Sequence, residues 1–373
     1  MRSAHAKPMR APAGWRRPCT ASESKLHQLS PYIGKLKSVI AADLIREFTR
    51  PSDIVADPFC GSGTIPLECA LLGRTVVASD TSSYAIVLTR AKLAPPSSLE
   101  TAKERLSSIL AAAALREPPR LREVPAWVRR FFHPRTLGEA IRFADECMAR
   151  KDYFVLACFL GILHHQRPGF LSYPSSHLVP YLREQNFPKG QFPELYEYRP
   201  LAPRMLKKVA RALKNENDLK RLDGTHAVVS SKSIEHFQPP EELDAIITSP
   251  PYMNALDYER DNRLRLWFLE RDVENYAPEP TDRHDLFERM IVSLATKVVP
   301  RVRTGGHCVL VVGETVRRKQ STRHPAEMIL YLFEQHAPTL NLVKVVEDRI
   351  PDVRRSRRAH RGTKKELILV FRR

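Results

Sequence analysis

DIVADPFCGSGTIPLECALLGRTVVASD, residues 53–80, carries four signals in a row. Residues 53–59 form a short apolar run rich in β-formers, which CGSGT breaks with two glycines. TIPLECALLG follows with helical spacing and closes on Gly73, and TVVASD is a second strand that ends in an acid. The order strand, glycine loop, helix, strand, acid is the opening half of a doubly wound α/β domain. Gly61 and Gly63 let the backbone turn tightly and bring a ligand close, where a Cβ would intrude. Asp80, at the tip of the second strand, is placed to accept both hydroxyls of a ribose.

The loop lacks the spacing of a dinucleotide fingerprint and the Gly-Lys-Ser/Thr of a phosphate loop. Asp57 would repel a pyrophosphate and suits a cationic ligand. S-adenosylmethionine carries an ammonium, a sulfonium and a ribose but no phosphate, so it meets both conditions.

Outward from this stretch the grammar changes twice. Residues 38–48 read as a helix before it. From about residue 95 to 221 the chain is helical, rich in Pro, Arg and aromatics, and shows no strand–helix alternation. YFVLACFLGIL, residues 153–163, is too short to span a bilayer and reads as a buried helix. Alternation resumes with THAVVSS and LDAIITS, then a helix over LFERMIVSLATKVVPRV, a turn at RTGG and the strand HCVLVVG. The strands LVKVVEDRI and ELILVF close the chain, joined by the basic segment PDVRRSRRAHRGTKK. The fold class expected is α/β: a doubly wound sheet with a mainly α-helical insertion. The organisation expected is a basic disordered tail at 1–26, a first α/β half at 27–94, the insert at 95–221 and a second half at 222–373.

The 373 residues hold 60 Lys and Arg against 42 Asp and Glu, a net charge of +18 that favours a polyanionic partner. The six cysteines form no CxxC pair, which argues against a zinc site or a disulfide framework and fits a reducing, cytoplasmic compartment. His164-His165 lacks an acid at ligand spacing, so no metal is implied. The Arg-rich N-terminus has no apolar core of a signal peptide, and no membrane association is expected.

In the second half, an apolar run ends in Ser249-Pro250-Pro251-Tyr252. The exocyclic amine of a nucleobase is a poor nucleophile because its lone pair is delocalised. Methylating it means drawing the nitrogen toward a tetrahedral state beside a methyl donor. The Ser249 hydroxyl and the Pro250 carbonyl can accept the two amine hydrogens, and proline holds its carbonyl in one direction. Tyr252 can stack on a base that has left the helix. A Pro-Pro turn with a merely buried Tyr252 is the competing structural reading.

DPFCGSGT followed by TSPPY resembles the DNA amino-methyltransferases, which make N4-methylcytosine or N6-methyladenine. MNALDYERDNRLRLWFL and RTGGHCVLVVG look like the same family, as does HQLSPYIGKLKSVIAADLI, the segment that closes over the methionine end of the cofactor. The resemblance covers roughly residues 27–95 and 225–371, and omits the insert. It implies a class I, Rossmann-like methyltransferase with S-adenosylmethionine as cofactor and DNA as partner. A restriction endonuclease is a further candidate partner. Asp57, Phe59, Gly61, Gly63 and Thr64 would line the cofactor, Asp80 would hold its ribose, and Ser249, Pro250, Pro251 and Tyr252 would form the target-amine site. Serine at the first position leans toward cytosine N4 over adenine N6. Two departures stand out. VVSSKSIEHF has no acid where the family often has one near the adenine, so that Ser231, Ser233 or backbone groups would serve. Target recognition would fall to the insert and the basic segment. RNA or a protein amide as acceptor, and an inactive DNA-binding homologue, stay open.

Overall fold

The computed structural model describes residues 8–16, 23–164, 169–173, 187–251, 258–271, 283–313, 325–350 and 365–373. Its first half runs β1 (Met9–Arg10), α1 (Ser38–Phe48), β2 (Ile54–Asp57), α2 (Thr64–Leu71), β3 (Thr75–Asp80) and α3 (Ser83–Leu93). The insert contributes α4 (Leu99–Leu115), α5 (Ala126–Arg129), α6 (Pro134–Ala149), α7 (Tyr153–Ile162), α8 (Leu201–Ala212) and α9 (Glu216–Leu222). The second half holds β4 (Ala227–Ser231), β5 (Leu243–Thr248), α10 (Tyr258–Glu270), α11 (Arg283–Ser293), β6 (Val302–Gly313), α12 (Pro325–His336), β7 (Asn341–Arg349) and β8 (Lys365–Arg372).

The described strands form one eight-stranded sheet in the order β1-β7-β8-β6-β5-β2-β3-β4. Pairing is parallel except where β8 inserts antiparallel between β6 and β7. Order runs outward from the β2–β5 pair in both directions, the signature of a doubly wound sheet. Both faces are covered, and the period of two along each strand shows it. Val309 and Val311 of β6 point into one apolar cluster, while Cys308, Leu310 and Val312 point into the other. β8 divides the same way, with Ile368 and Val370 against Leu369 and Phe371.

The insert packs straight onto one face of that sheet. Phe143, Phe154 and Phe159 belong to the same cluster as Val55 of β2 and Val309 of β6, so a continuous core joins insert and sheet. α7 is buried along its length apart from Tyr153, as its unbroken apolar sequence requires.

Two expectations fail here. Residues 8–16, assigned to a loose tail, are part of the domain. Met9 and Arg10 pair with Val346 and Glu347 of β7, and buried Trp15 donates from Nε1 to Asp43 Oδ2 on α1 at 2.8 Å. A two-residue strand has no periodicity to read, and one Trp anchors it. RTGG is not a turn before β6 but part of it. The β5–β6 register jumps from Leu243↔Val302 to Ala245↔His307, a bulge that absorbs the extra residues. A Cβ on Gly306 would lie 2.6 Å from the Asp244 carbonyl oxygen, which is why glycine stands there.

Candidate active site

Strand order reverses between β2 and β5, and a crevice at the carboxyl ends of such a pair is the usual ligand site of an open α/β sheet. β2 ends in Asp57 and β5 in Thr248, with Ser249 the next residue. Thr248 Oγ1 donates to Asp57 Oδ1 at 2.5 Å, tying the two strand ends together, and the Phe59 N–H approaches the same oxygen at 3.4 Å. Asp57 is 2% exposed. Burial raises its carboxyl from 3.8 to about 7, the two hydrogen bonds oppose the rise, and the nearby Asp80 carboxylate adds to it.

The folded-state value lies above the unfolded one, so the contribution of this carboxyl to stability is complete below pH 3.8 and is lost as pH rises through 7. Asp57→Asn keeps an acceptor for Thr248 and cannot ionise. Wild type is therefore expected to lose stability relative to that variant, on the order of a few kcal/mol, between pH 4 and pH 8. Urea unfolding across this range measures it, and a flat difference would show that Asp57 ionises freely.

The glycine loop hangs from β3. The Gly61 N–H donates to Asp80 Oδ2 and the Ser82 N–H to Oδ1, each at 2.9 Å, and the Thr81 N–H is a third backbone donor to the same carboxyl. Burial raises the Asp80 carboxyl above its ordinary value, and those backbone donors counter the rise. Gly61 has φ +47°, and the Tyr32 ring lies 3.6 Å from where its Cβ would be. Gly63, at φ +71°, caps α2. Its close approach is not toward the crevice, as the sequence reading had it, but to α3: a Cβ there would meet Thr89 Oγ1 at 2.7 Å and Thr89 Cα at 2.9 Å. Thr64 is buried, with Oγ1 3.0 Å from Ser62 Oγ. Phe59 is half-buried against the cluster that holds Ala56, Ile246 and Leu310.

HQLSPYIGK lies over this loop. The Tyr32 ring stacks on Tyr84 of α3 at 5.7 Å, and the Tyr84 hydroxyl donates to the Pro31 carbonyl at 2.6 Å. Beneath the loop is a polar cluster that sequence reasoning missed. Lys92, 1% exposed, donates from Nζ to the carbonyl of Ser62. His27 Nε2 meets Glu68 Oε1 at 2.7 Å, and Lys35 Nζ donates to the His27 carbonyl at 3.0 Å. Burial brings Lys92 down to about 7, lifts Glu68 to about 7 and lowers His27, so all three are pushed toward neutrality. A lysine inside a helix reads as a solvated charge, and only the fold reveals that this one is enclosed.

On the β5 side, the Ser249 hydroxyl donates to the Val311 carbonyl of β6 at 3.1 Å. Its proton is thereby occupied and its oxygen is left with lone pairs alone to offer. Pro250 is buried and Pro251 half-buried. Tyr252 lies outside the described residues, as do Cys19, His165 and the basic segment 351–364. At the end of β4, Ser231 sits in register beside Asp80 and is exposed. Ser233 is engaged, its Oγ 3.0 Å from His236 Nδ1. Ser79 Oγ reaches the carbonyls of Ser230 and Lys232 at 3.0 and 2.9 Å, which fixes the turn that leaves β4. The structure thus brings Asp57, Gly61, Thr64, Asp80 and Ser249 to one end of three neighbouring strands.

Residues 15–90 match the family model described as DNA methylase, of the N6 and N4 methyltransferases. That segment holds the whole glycine loop and Asp80, and the match supports an amino-methyltransferase with S-adenosylmethionine as its cofactor. No curated protein matches the chain. Among solved structures, TrmN from Thermus thermophilus is similar at 13% identity and a TM-score of 0.35, over 91% of this chain and 50% of that one. This chain therefore spans half the length of that protein. The rRNA methyltransferase AviRa from Streptomyces viridochromogenes is similar at 12% identity and 0.37, over 93% and 91%. TehB from Haemophilus influenzae is similar at 10% identity and 0.34, over 90% and 62%. The fold assignment rests on the strand order, which is that of a class I, Rossmann-like methyltransferase sheet. No helix of the described residues is long and apolar enough to cross a membrane.

Proposed function

We propose that this chain is a DNA methyltransferase that acts on an exocyclic amine of an extruded base, cytosine N4 first and adenine N6 second. The observation that carries the reading is the Ser249 hydroxyl. Donating to Val311, it stands as a pure acceptor at the end of β5, one residue from the Thr248–Asp57 bond to the glycine-loop strand.

The residues present fit S-adenosylmethionine: two acids end adjacent strands, the backbone donors of Gly61, Thr81 and Ser82 fix the Asp80 carboxyl in place, and the glycine loop lacks the Gly-Lys-Ser/Thr of a phosphate loop. When bound, S-adenosylmethionine supplies an electrophilic methyl group. Asp80 accepts the ribose hydroxyls, and Asp57, whose carboxyl burial raises to about 7, offers negative charge to a cationic ligand in its ionised form. Ser249 and the Pro250 carbonyl accept the amine hydrogens of the target. This shifts electron density onto the amine nitrogen and orients its lone pair. Tyr252 stacks on the extruded base. No enzyme nucleophile is needed, since the amine itself would form the new N–C bond as the methyl's bond to the sulfonium sulfur breaks, leaving a neutral thioether, and would then release one proton to solvent. The insert, residues 95–221, serves as target-recognition region. A cytoplasmic place of work and a cognate restriction endonuclease go with this proposal.

Nucleoside mass spectrometry of DNA incubated with the purified chain and isotopically labelled S-adenosylmethionine tests it. Labelled N4-methylcytosine is the expected product. Labelled N6-methyladenine would keep the mechanism and overturn the cytosine assignment. No label in any DNA base, with the cofactor still bound, would overturn DNA as substrate.

A further inference from the structure

A cleft of about 1050 Å³ opens where the insert meets the outermost strand β4, between α3, α4 and the α6–α7 turn. It lies away from the glycine loop. β4 enters the sheet at this cleft with Ala227 and leaves it at Ser231, beside Asp80. α3 likewise starts next to Asp80 and reaches the cleft with Arg90 and Leu93, roughly 15 Å away at 1.5 Å per residue. Nothing in the proposed methyl transfer uses it.

Four cations line the cleft, and they are of two kinds. Arg90 and Arg150 are built into the walls. Arg90 donates to the Tyr153 hydroxyl at 2.7 Å and to the Val229 carbonyl at 2.9 Å, with its guanidinium 4.9 Å from the Tyr153 ring centre. Arg150 is held by Glu146 and Ser108. Arg105 and Lys151 are exposed and have no ion pair or side-chain hydrogen bond among the described residues. Lys151 also occupies a position that favours glycine, at φ +55° in the cap that ends α6, where the Asp152 N–H donates to the Cys147 carbonyl at 3.0 Å. The turn is thus held left-handed by a residue that sets an ammonium at the lip of the cleft. Of the two acids in the lining, Asp152 is taken up in capping α7 through the Val155 N–H at 3.0 Å, and Glu104 alone remains open. The walls between the cations are apolar and aromatic, with Tyr153, Ile109 and Val228, the last 62% exposed on an edge strand.

We propose that this cleft binds unpaired nucleotides of the nucleic-acid substrate, with Arg105 and Lys151 on their phosphates and the bases against the apolar wall. The inference rests on the reading of the chain as a nucleic-acid methyltransferase. A net charge of +18 selects a polyanion. A concave apolar slot selects unpaired bases, because a duplex buries its base faces in the stack and offers only base edges and backbone. The volume lies at the upper end of the range of about 300–1000 Å³ typical of small-ligand sites, room for more than one nucleotide.

The test uses the full chain, a short fluorescein-labelled single-stranded oligonucleotide and its duplex, read by anisotropy over a salt series. The double variant Arg105→Glu/Lys151→Glu is compared with Arg122→Glu/Lys214→Glu, an equal charge change at exposed insert positions outside the cleft. The cleft variant is expected to weaken single-strand binding about tenfold more than the control and to flatten the log–log salt slope by about 1.4, two phosphates at 0.7 each. Equal weakening by both variants would overturn the proposal. So would an equal loss of duplex binding, or competition by polyglutamate as effective as by the oligonucleotide, which would make the cleft a duplex or an acidic-protein site. Calorimetric titration with S-adenosylmethionine runs alongside. Wild type that fails to bind it would sink the proposed activity, and the comparison of variants would still be readable.

Discussion

Ser249→Ala is expected to lower kcat by about 100- to 1000-fold while leaving the affinity for S-adenosylmethionine unchanged, the size of effect seen when one fixed polar partner of a developing charge is removed. Thr248, the last residue of β5, is engaged with Asp57, and the Ser249 hydroxyl that follows it is an acceptor whose proton is held by Val311. Alanine deletes that acceptor. It also leaves the Val311 carbonyl without this donor, at about 1 kcal/mol of stability, so single-turnover rates belong well below the melting temperature. Cofactor affinity is the discriminating readout. If it falls in step with the rate, Ser249 acts by bracing the crevice and not by polarising an amine.

Gly63→Ala is expected to cost about 2–4 kcal/mol, combining a left-handed backbone that alanine resists with an overpacked contact. The conflict is with Thr89 of α3, at 2.7 Å from Oγ1 and 2.9 Å from Cα. Thr89→Ala in the same chain removes the first contact and not the second, so it should restore only part of the loss in a double-mutant cycle. Gly61→Ala is the internal comparison. Its Cβ would meet the Tyr32 ring at an ordinary 3.6 Å, leaving backbone strain as the main cost, about 1 kcal/mol. Urea unfolding of the variants ranks them, and a larger loss at Gly61 would refute this account of the loop.

These two glycines show where sequence reasoning reached and where it stopped. That residues 57–64 turn tightly between a strand and a helix is local information, carried by residue types in order. So are the span of α1 and the acid that ends β3. That Gly63 yields to a helix while Gly61 faces an aromatic ring depends on neighbours far along the chain. Lys92 and Trp15 were illegible for the same reason: one looks like a surface charge and the other like part of a tail until the elements around them close. RTGG misled because glycine pairs signal turns locally, whereas here a bulge and the approach of the Asp244 carbonyl require them. A doubly wound sheet was expected from the grammar of the two halves, but its strand order and the register that sets Thr248 against Asp57 could be read only in the assembled sheet.

The hydrogen bond between Thr248 and Asp57 joins residues 191 positions apart. Loop closure over that distance costs entropy that grows only slowly with length, but contacts of such sequence separation form late in folding. During synthesis the glycine loop emerges early, yet the strand that flanks it in the sheet follows only after the whole insert, and the carbonyl that orients Ser249 follows later still. The nascent chain must therefore shelter the unpaired edge and the apolar faces of β2 through the synthesis of the insert. Those helices, sharing a core with β2, are in place to cover one of its faces while its partner strand is still to come.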